Sequence, residues 1–234
     1  MARSNGSPRR ATLIASTLVV GVIVVAGAIL TGRALISDDE DRGSTAPPTS
    51  ADSSSTCDLP DGDLEPLTEA PEDVDWELVN SYALPSGAAG PAEESGGVHY
   101  CYARSGEGAV LAAASFSVDL ATPGINFSEL AERRITGPAA DQYAALDDYP
   151  QEQKDSLATP GISQIAAFRI ESISEDHAVV SIVHRFNQGE LVGTYGASVL
   201  DLRWIDGDWR WNATEGSGIV AVPNLSGYIP WSGA

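Results

Sequence analysis

The chain has 234 residues and carries 33 acidic against 13 basic residues, a formal net charge of −20. Four of the bases (Arg3, Arg9, Arg10 and Arg33) flank an N-terminal hydrophobic stretch, so beyond Ile36 nine bases face 33 acids, a net charge of −24. Such a field repels phosphate backbones and anionic headgroups, which argues against nucleic-acid binding and against peripheral membrane binding by this part of the chain.

Residues 11–32 (ATLIASTLVVGVIVVAGAILTG) contain no charge. At about 1.5 Å of rise per residue such a helix crosses the roughly 30 Å hydrocarbon core of a bilayer. Arginines precede the run, and Asp38-Asp39-Glu40-Asp41 follow it. This asymmetry predicts a cytoplasmic tail over 1–10, a single transmembrane helix over 11–32 and an extracytoplasmic remainder. Ala26-Gly27-Ala28 offers a small-residue cleavage site, but the apolar run is longer than a signal-peptide core and continues past it, which favours an uncleaved signal-anchor. Arg9-Arg10 lacks the wider twin-arginine pattern, and no cysteine directly follows the run.

Residues 33–75 form an acidic linker rich in Ser, Thr and Pro, expected to be disordered because it buries too little apolar surface to offset the entropy of ordering. The folded domain is expected over 76–234. Cys57 and Cys101 are the two cysteines. Both fall on the oxidising side of the predicted membrane topology, and a disulfide between them would pin the end of the linker to the domain, a stabilisation of roughly 4 kcal/mol in the chain-entropy picture. No Cys or His stands near either at metal-ligand spacing.

In chain order, Val98 to Ala103 alternates like a strand, and Gly106 and Gly108 precede a helix opening at Ala109, whose small residues permit close packing on a sheet. Asn126 followed by Glu129 reads as a capping box starting a second helix. A third follows Thr136-Gly137-Pro138, with Ala139, Tyr143 and Leu146 on one face. Three helices are thus expected ahead of the main sheet. From Ile162 the period changes. Ile165–Ile173, Ala178–Phe186, Leu191–Trp204 and Trp209–Ala213 read as strands joined by short polar turns, the last containing Asp206-Gly207, a strong hairpin signal. The expected fold is α+β, with helices packed on a curved antiparallel sheet.

This order, ending in Leu200-Asp201-Leu202-Arg203-Trp204-Ile205-Asp206-Gly207-Asp208-Trp209-Arg210, resembles the cystatin-like cone of the nuclear-transport-factor-two superfamily. A second likeness spans the outer region. Cys57-Asp58-Leu59-Pro60, Trp76, Leu84-Pro85-Ser86, Gly90-Pro91, Cys101-Tyr102-Ala103-Arg104, Gly108 to Ala114 and Gly227 to Gly233 resemble an uncharacterised family of actinobacterial single-pass membrane proteins. That resemblance implies association with conjugation-like or secretion-like gene clusters, and a plan like that of the bitopic scaffold subunits of type IV secretion channels.

No catalytic, cofactor-binding or metal-ligating set stands out, and no phosphate-binding glycine loop is present. A pocket between helices and sheet, as enzymes with this cone use, would draw on Tyr143, His184, Tyr195 and Asp201. Core or surface roles are the simpler account of each. Trp231, in an apolar Tyr-Ile-Pro-Trp near the C-terminus, is the candidate partner contact, unless it closes the core. The expected function is therefore that of a membrane-anchored extracytoplasmic scaffold or accessory subunit making protein contacts, with a second copy of the chain as one admissible partner and no cofactor. The alternatives are a small-ligand-binding or isomerase-like domain and a cell-wall-binding module.

Overall fold

The computed structural model describes residues 57, 59–157, 163–213 and 218–233. The expected transmembrane helix over 11–32 and the linker up to residue 56 lie outside these. Among the described residues no helix is long and apolar enough to cross a membrane.

Two hairpins come first. β1 (Val74–Val79) pairs antiparallel with β2 (Tyr82–Gly87), and β3 (Glu93–Ser95) pairs with β4 (Val98–Tyr100). The sequence reading had helices ahead of the sheet and passed over the first hairpin. Its turn is Asn80-Ser81, both at positive φ (48° and 75°), which is the backbone of a tight hairpin turn made without the usual glycine. Helices α1 (Gly106–Leu120), α2 (Phe127–Arg134), α3 (Ala140–Ala144) and α4 (Gln151–Leu157) follow, with the short strand β5 (Ile135–Thr136) between α2 and α3. Long strands β6 (Ser163–Ile173), β7 (His177–Phe186) and β8 (Tyr195–Ile205) then lead to β9 (Asp208–Asn212), β10 (Ile219–Val222) and β11 (Ile229–Pro230).

The last seven of these strands, counting β5, make one sheet in the order β11-β6-β7-β8-β9-β5, with β10 also on β8. It is a mixed sheet, because β5 runs parallel to β9 while the other pairs are antiparallel. Asp206 and Gly207 both take positive φ, so the β8–β9 turn forms as the sequence predicts, with Trp204 opposite Trp209. Register shifts in β6 between Ile165 and Ala167 and between Ile170 and Ser172 break its strict alternation. Ile165 and Phe168, of opposite parity, therefore both join the main core.

Helix α1 lies on one face of the sheet, against Ala178, Val180 and Ile182 of β7, Leu200 and Leu202 of β8, and Trp209 and Trp211 of β9. It is apolar nearly all round, as a central helix must be, and Ala109, Ala112, Ala113 and Ala114 are fully buried. The helix opens earlier than the sequence reading placed it. Ser105 is its N-cap, with its hydroxyl accepting from the Gly108 amide at 3.0 Å, so Gly106 and Gly108 lie inside the first turn. A Cβ on Gly108 would stand 2.0 Å from the Ala103 carbonyl oxygen, a contact no side chain can make. Asn126 caps α2 by accepting from the Glu129 amide at 2.9 Å. Its own amide goes to the Gly96 carbonyl, while Glu129 pairs with Arg133.

The opposite face of the sheet is covered by the C-terminal segment. Tyr195, Val222, Leu225 and Tyr228 pack over Ala167, Val183 and Ala197. The chain passes from β10, paired with β8, to β11, paired with β6, and the Arg169 guanidinium sits 4.6 Å from the Tyr228 ring centre. Beyond the edge of β6, Trp231 turns back into the main core against Trp76 (4.9 Å) and Phe168 (5.4 Å).

Residues assigned from sequence to the end of the linker are drawn onto this body. Leu59, Leu64, Leu67 and Ala70 pack against the main core, and Cys57 forms the expected disulfide with Cys101. Substituting Gly108→Ala is expected to lower stability by about 3 kcal/mol through overpacking against rigid backbone. Urea unfolding of the two forms measures it.

Candidate functional site

The segment between β4 and α1 organises the charged interior. Cys101 takes a φ of 69°, which directs its amide and that of Tyr102 to one point. There the Asp208 carboxylate accepts from Cys101 N at 2.8 Å, Tyr102 N at 2.9 Å and its neighbour Trp209 N at 2.8 Å. Trp209 Nε1 donates to the Ala103 carbonyl at 3.0 Å, so one β9 hairpin arm holds three successive residues of the segment. Burial pushes the Asp208 carboxyl up from its ordinary range, and Arg134 together with the three amides pulls it back.

Arg134 ends α2 inside the protein and is 1% exposed. Its guanidinium donates to the Ala112 carbonyl at 2.7 Å, to Tyr102 Oη at 3.3 Å and to the His99 carbonyl, and it stands 3.6 Å from Asp119. It also lies over the Tyr102 ring, 4.8 Å from the centre. Burial raises the Tyr102 phenol beyond the usual phenolic range. Asp119, near the end of α1, is fully buried. One of its oxygens lies 2.6 Å from His99 Nδ1, and the other accepts the His99 backbone amide at 3.2 Å. Burial pushes the Asp119 carboxyl up, while His99 and Arg134 oppose the shift. Two acids and one arginine thus share the interior with a histidine that reaches the surface. In this network losing one member strands the others, and Arg134 Nε is already without a hydrogen-bond partner among the described residues.

That histidine lines a surface cleft of about 520 Å³. Its walls are the two N-terminal hairpins: Glu77 and Val79 of β1, Leu84 and Ser86 of β2, and Glu93 and Glu94 of β3. The β1–β2 hairpin is held by Tyr82 and Leu84, which pack on Val118 of α1, and by Gln164 of β6. The Gln164 amide accepts from Ala83 N at 3.0 Å and donates to the Ser81 carbonyl at 2.6 Å. The cleft floor lies over the end of α1, at His99 and Thr122.

The four residues singled out from sequence as a pocket set are dispersed. Tyr143 sits on α3 with its ring 5.8 Å from that of Trp211, and burial pushes its phenol up to about 12. His184 is buried on β7 between Ile165 and Gly196, and its Nδ1 has no hydrogen-bond partner among the described residues. Tyr195 and Asp201 belong to the other face of β8. Their odd parity opposes that of the inward Leu200 and Leu202, and Asp201 pairs there with Arg203 (3.1 Å) and His177 (3.3 Å). Trp231, the expected partner contact, is 6% exposed and occupies the place of a core residue. The sequence reading missed Asp119, Arg134 and Asp208. The signals for Asp119 and Asp208 were an acid in the apolar last turn of a helix and an acid beginning a strand of buried tryptophans; Arg134 had none.

Taken together, these features define an α+β domain in which few helices pack on a mixed sheet, with a charged interior that surfaces in an acidic, hairpin-walled cleft. By its sequence the chain belongs to the family described as a domain of unknown function, DUF8175, which it matches over residues 37–230. No curated protein and no solved structure matches it.

Two consequences of the buried charges are measurable. Asp208→Asn replaces an acceptor of three amides by a group that must turn an NH2 toward some of them, and is expected to cost about 3 kcal/mol or more in denaturant unfolding. His184 is held neutral by burial, its pKa lowered from 6.5 to about 4. The folded protein therefore binds fewer protons than the unfolded chain between these values, so the stability due to neutral His184 is intact above pH 6.5 and lost as pH falls through about 4. A His184→Leu variant is expected to lose about 3 kcal/mol less than the wild type between pH 7 and pH 4, measured by urea midpoints across that range.

Proposed function

We propose that the chain is a membrane-anchored subunit that acts by binding, its outer domain making protein contacts on the extracytoplasmic side within an apparatus of the conjugation or secretion type. The charge-free run over 11–32, with arginines before it and acids after it, supports the anchor and its orientation. A long buried helix lying on a sheet of long antiparallel strands supports a cystatin-like plan for the outer domain, the plan shared by bitopic scaffold subunits of secretion channels.

The observation that carries the reading is the form of the cleft. Its acidic groups are spread along a surface groove between two hairpins, while Tyr143, His184, Tyr195 and Asp201, which a reaction chamber in such a cone would gather, stand apart on α3 and on both faces of the sheet. A groove of this kind suits recognition of a partner's surface.

The test is crosslinking of the full-length protein in its native membranes, followed by affinity purification. Recovery of a membrane ATPase or channel subunit in defined stoichiometry is the expected result. A strictly monomeric protein with no crosslinked partner overturns the proposal.

A further inference from the structure

We propose that two copies of the chain pair through the outer face of the seven-stranded sheet, at an apolar stripe running across β7, β8 and β10. The inference goes beyond the reading above and concerns a different surface from the cleft.

The C-terminal segment covers part of that face, where Val222, Leu225 and Tyr228 close over Ala167, Val183 and Ala197. The sheet extends past this cover. Val199, the next outward residue of β8 after Ala197, is 46% exposed, and Val220, which pairs with Ala197 from β10, is 62% exposed. On the other side, half-buried Val179 of β7 pairs with Asp201, the outward residue that follows Val199. Side chains of one face recur at every second residue, so Val179 and Val220 are both diagonal neighbours of Val199. The three make one stripe, continuous at Ala197 with the cluster under the C-terminal segment. Outward positions of a solvated antiparallel face are ordinarily polar, and an apolar row there marks a surface that is covered in use.

Charge selects what covers it. Beyond Ile36 the acids outnumber the bases 33 to nine, so two copies repel one another over most of their surface. Strands β6, β7, β8 and β10 depart from that balance, since their charged side chains are Arg169, Arg185 and Arg203 against Glu171 and Asp201. Arg169 pairs with Glu171 at 2.6 Å, and Arg203 with Asp201 at 3.1 Å. The stripe is therefore bordered by both signs in near-equal number.

A basic protein is drawn to the acidic surfaces elsewhere and gains no charge attraction here. A second acidic copy, by contrast, approaches this face without meeting its own excess charge. A two-fold contact also requires a patch that matches itself, and an apolar stripe flanked by balanced ion pairs meets that condition. The chain's own linker is a poor cover, because residues 37–56 contain no valine, isoleucine, leucine, methionine or aromatic residue to lay on the stripe.

The experiment uses the full-length protein. Both native cysteines are bridged to each other, so a cysteine placed at position 199 is the sole free thiol. In native membranes treated with a mild oxidant, Val199→Cys is expected to form a disulfide-linked dimer about tenfold or more faster than Leu78→Cys, a control on β1 that is 74% exposed. In detergent micelles, sedimentation velocity is expected to show a wild-type dimer and a self-association weakened about tenfold or more in Val199→Glu/Val220→Glu, which adds like charge to the stripe. A retained cooperative melting transition separates lost association from lost fold, and the crosslinking comparison stands whether or not the glutamate variant folds.

A monomeric wild type, dimerisation undiminished by the two glutamates, or crosslinking no faster from position 199 than from position 78 overturns the assignment. If the wild type is monomeric yet still crosslinks to a membrane ATPase or channel subunit, the dimer falls while the protein-contact reading stands. Loss of the dimer from the glutamate variant with that subunit retained assigns this face to self-association.

Discussion

The structure depends on the Asp208 carboxylate and the three amides that converge on it. Cys101 and Tyr102 contribute two of these from the segment between β4 and α1, and Trp209 contributes the third from the strand carrying the carboxylate. A carboxylate that accepts several backbone donors can remain charged when buried, since the donors replace its lost hydration. Here it fixes the one stretch where N-terminal hairpins, central helix and sheet meet. The positive φ of Cys101, the close approach of Gly108 to Ala103 and the Trp209 indole bond to the same residue all follow from that junction.

Around the junction the charges are arranged in a chain of dependence. Arg134 serves Tyr102, Ala112, His99 and Asp119 at once, and the field of Asp208 also acts on it. In water such a set would separate. In the interior each member compensates the desolvation of the next, so the geometry of His99 at the cleft floor is fixed by groups that never touch solvent. The acidic rim is held by other means: apolar packing of Tyr82 and Leu84 on Val118, and the two-handed Gln164 contact to Ala83 and Ser81.

Much of the fold was legible in the sequence because it is written in local pattern. The Asp206-Gly207 turn, the Asn126 cap and the presence of strands β6, β7 and β8 depend on neighbouring residues and appear in the structure as read. Bulges interrupt β6, however, and the strand read from Leu191 begins at Tyr195, with Leu191 lying in a 3-10 turn. The β1–β2 hairpin escaped because Asn80-Ser81 turns without glycine. The packing of Leu59, Leu64 and Leu67 escaped because their spacing matches neither a helix nor a strand. Most of the site was illegible for a different reason. Asp119 meets His99 across 20 residues, and Asp208 meets Cys101 across 107, and no spacing rule links such pairs. Arg134 lies in a polar helix whose periodicity gives no hint that one arginine turns inward. The displacement of Tyr195 and Asp201 from the expected pocket, by contrast, was readable from strand parity, since Leu200 and Leu202 already claim the inner face.

The Cys57–Cys101 bond also has a mechanical meaning. Any pull arriving along the chain before Cys57 enters the domain at that residue, and the covalent link passes it directly to Cys101, beside the Asp208 anchorage. Force therefore bypasses the 43 residues between the two cysteines, which include both hairpins and most of the cleft lining. Force entering at Cys57 would leave the two hairpins unloaded while the strain runs into the sheet, whose long antiparallel ladders resist it collectively.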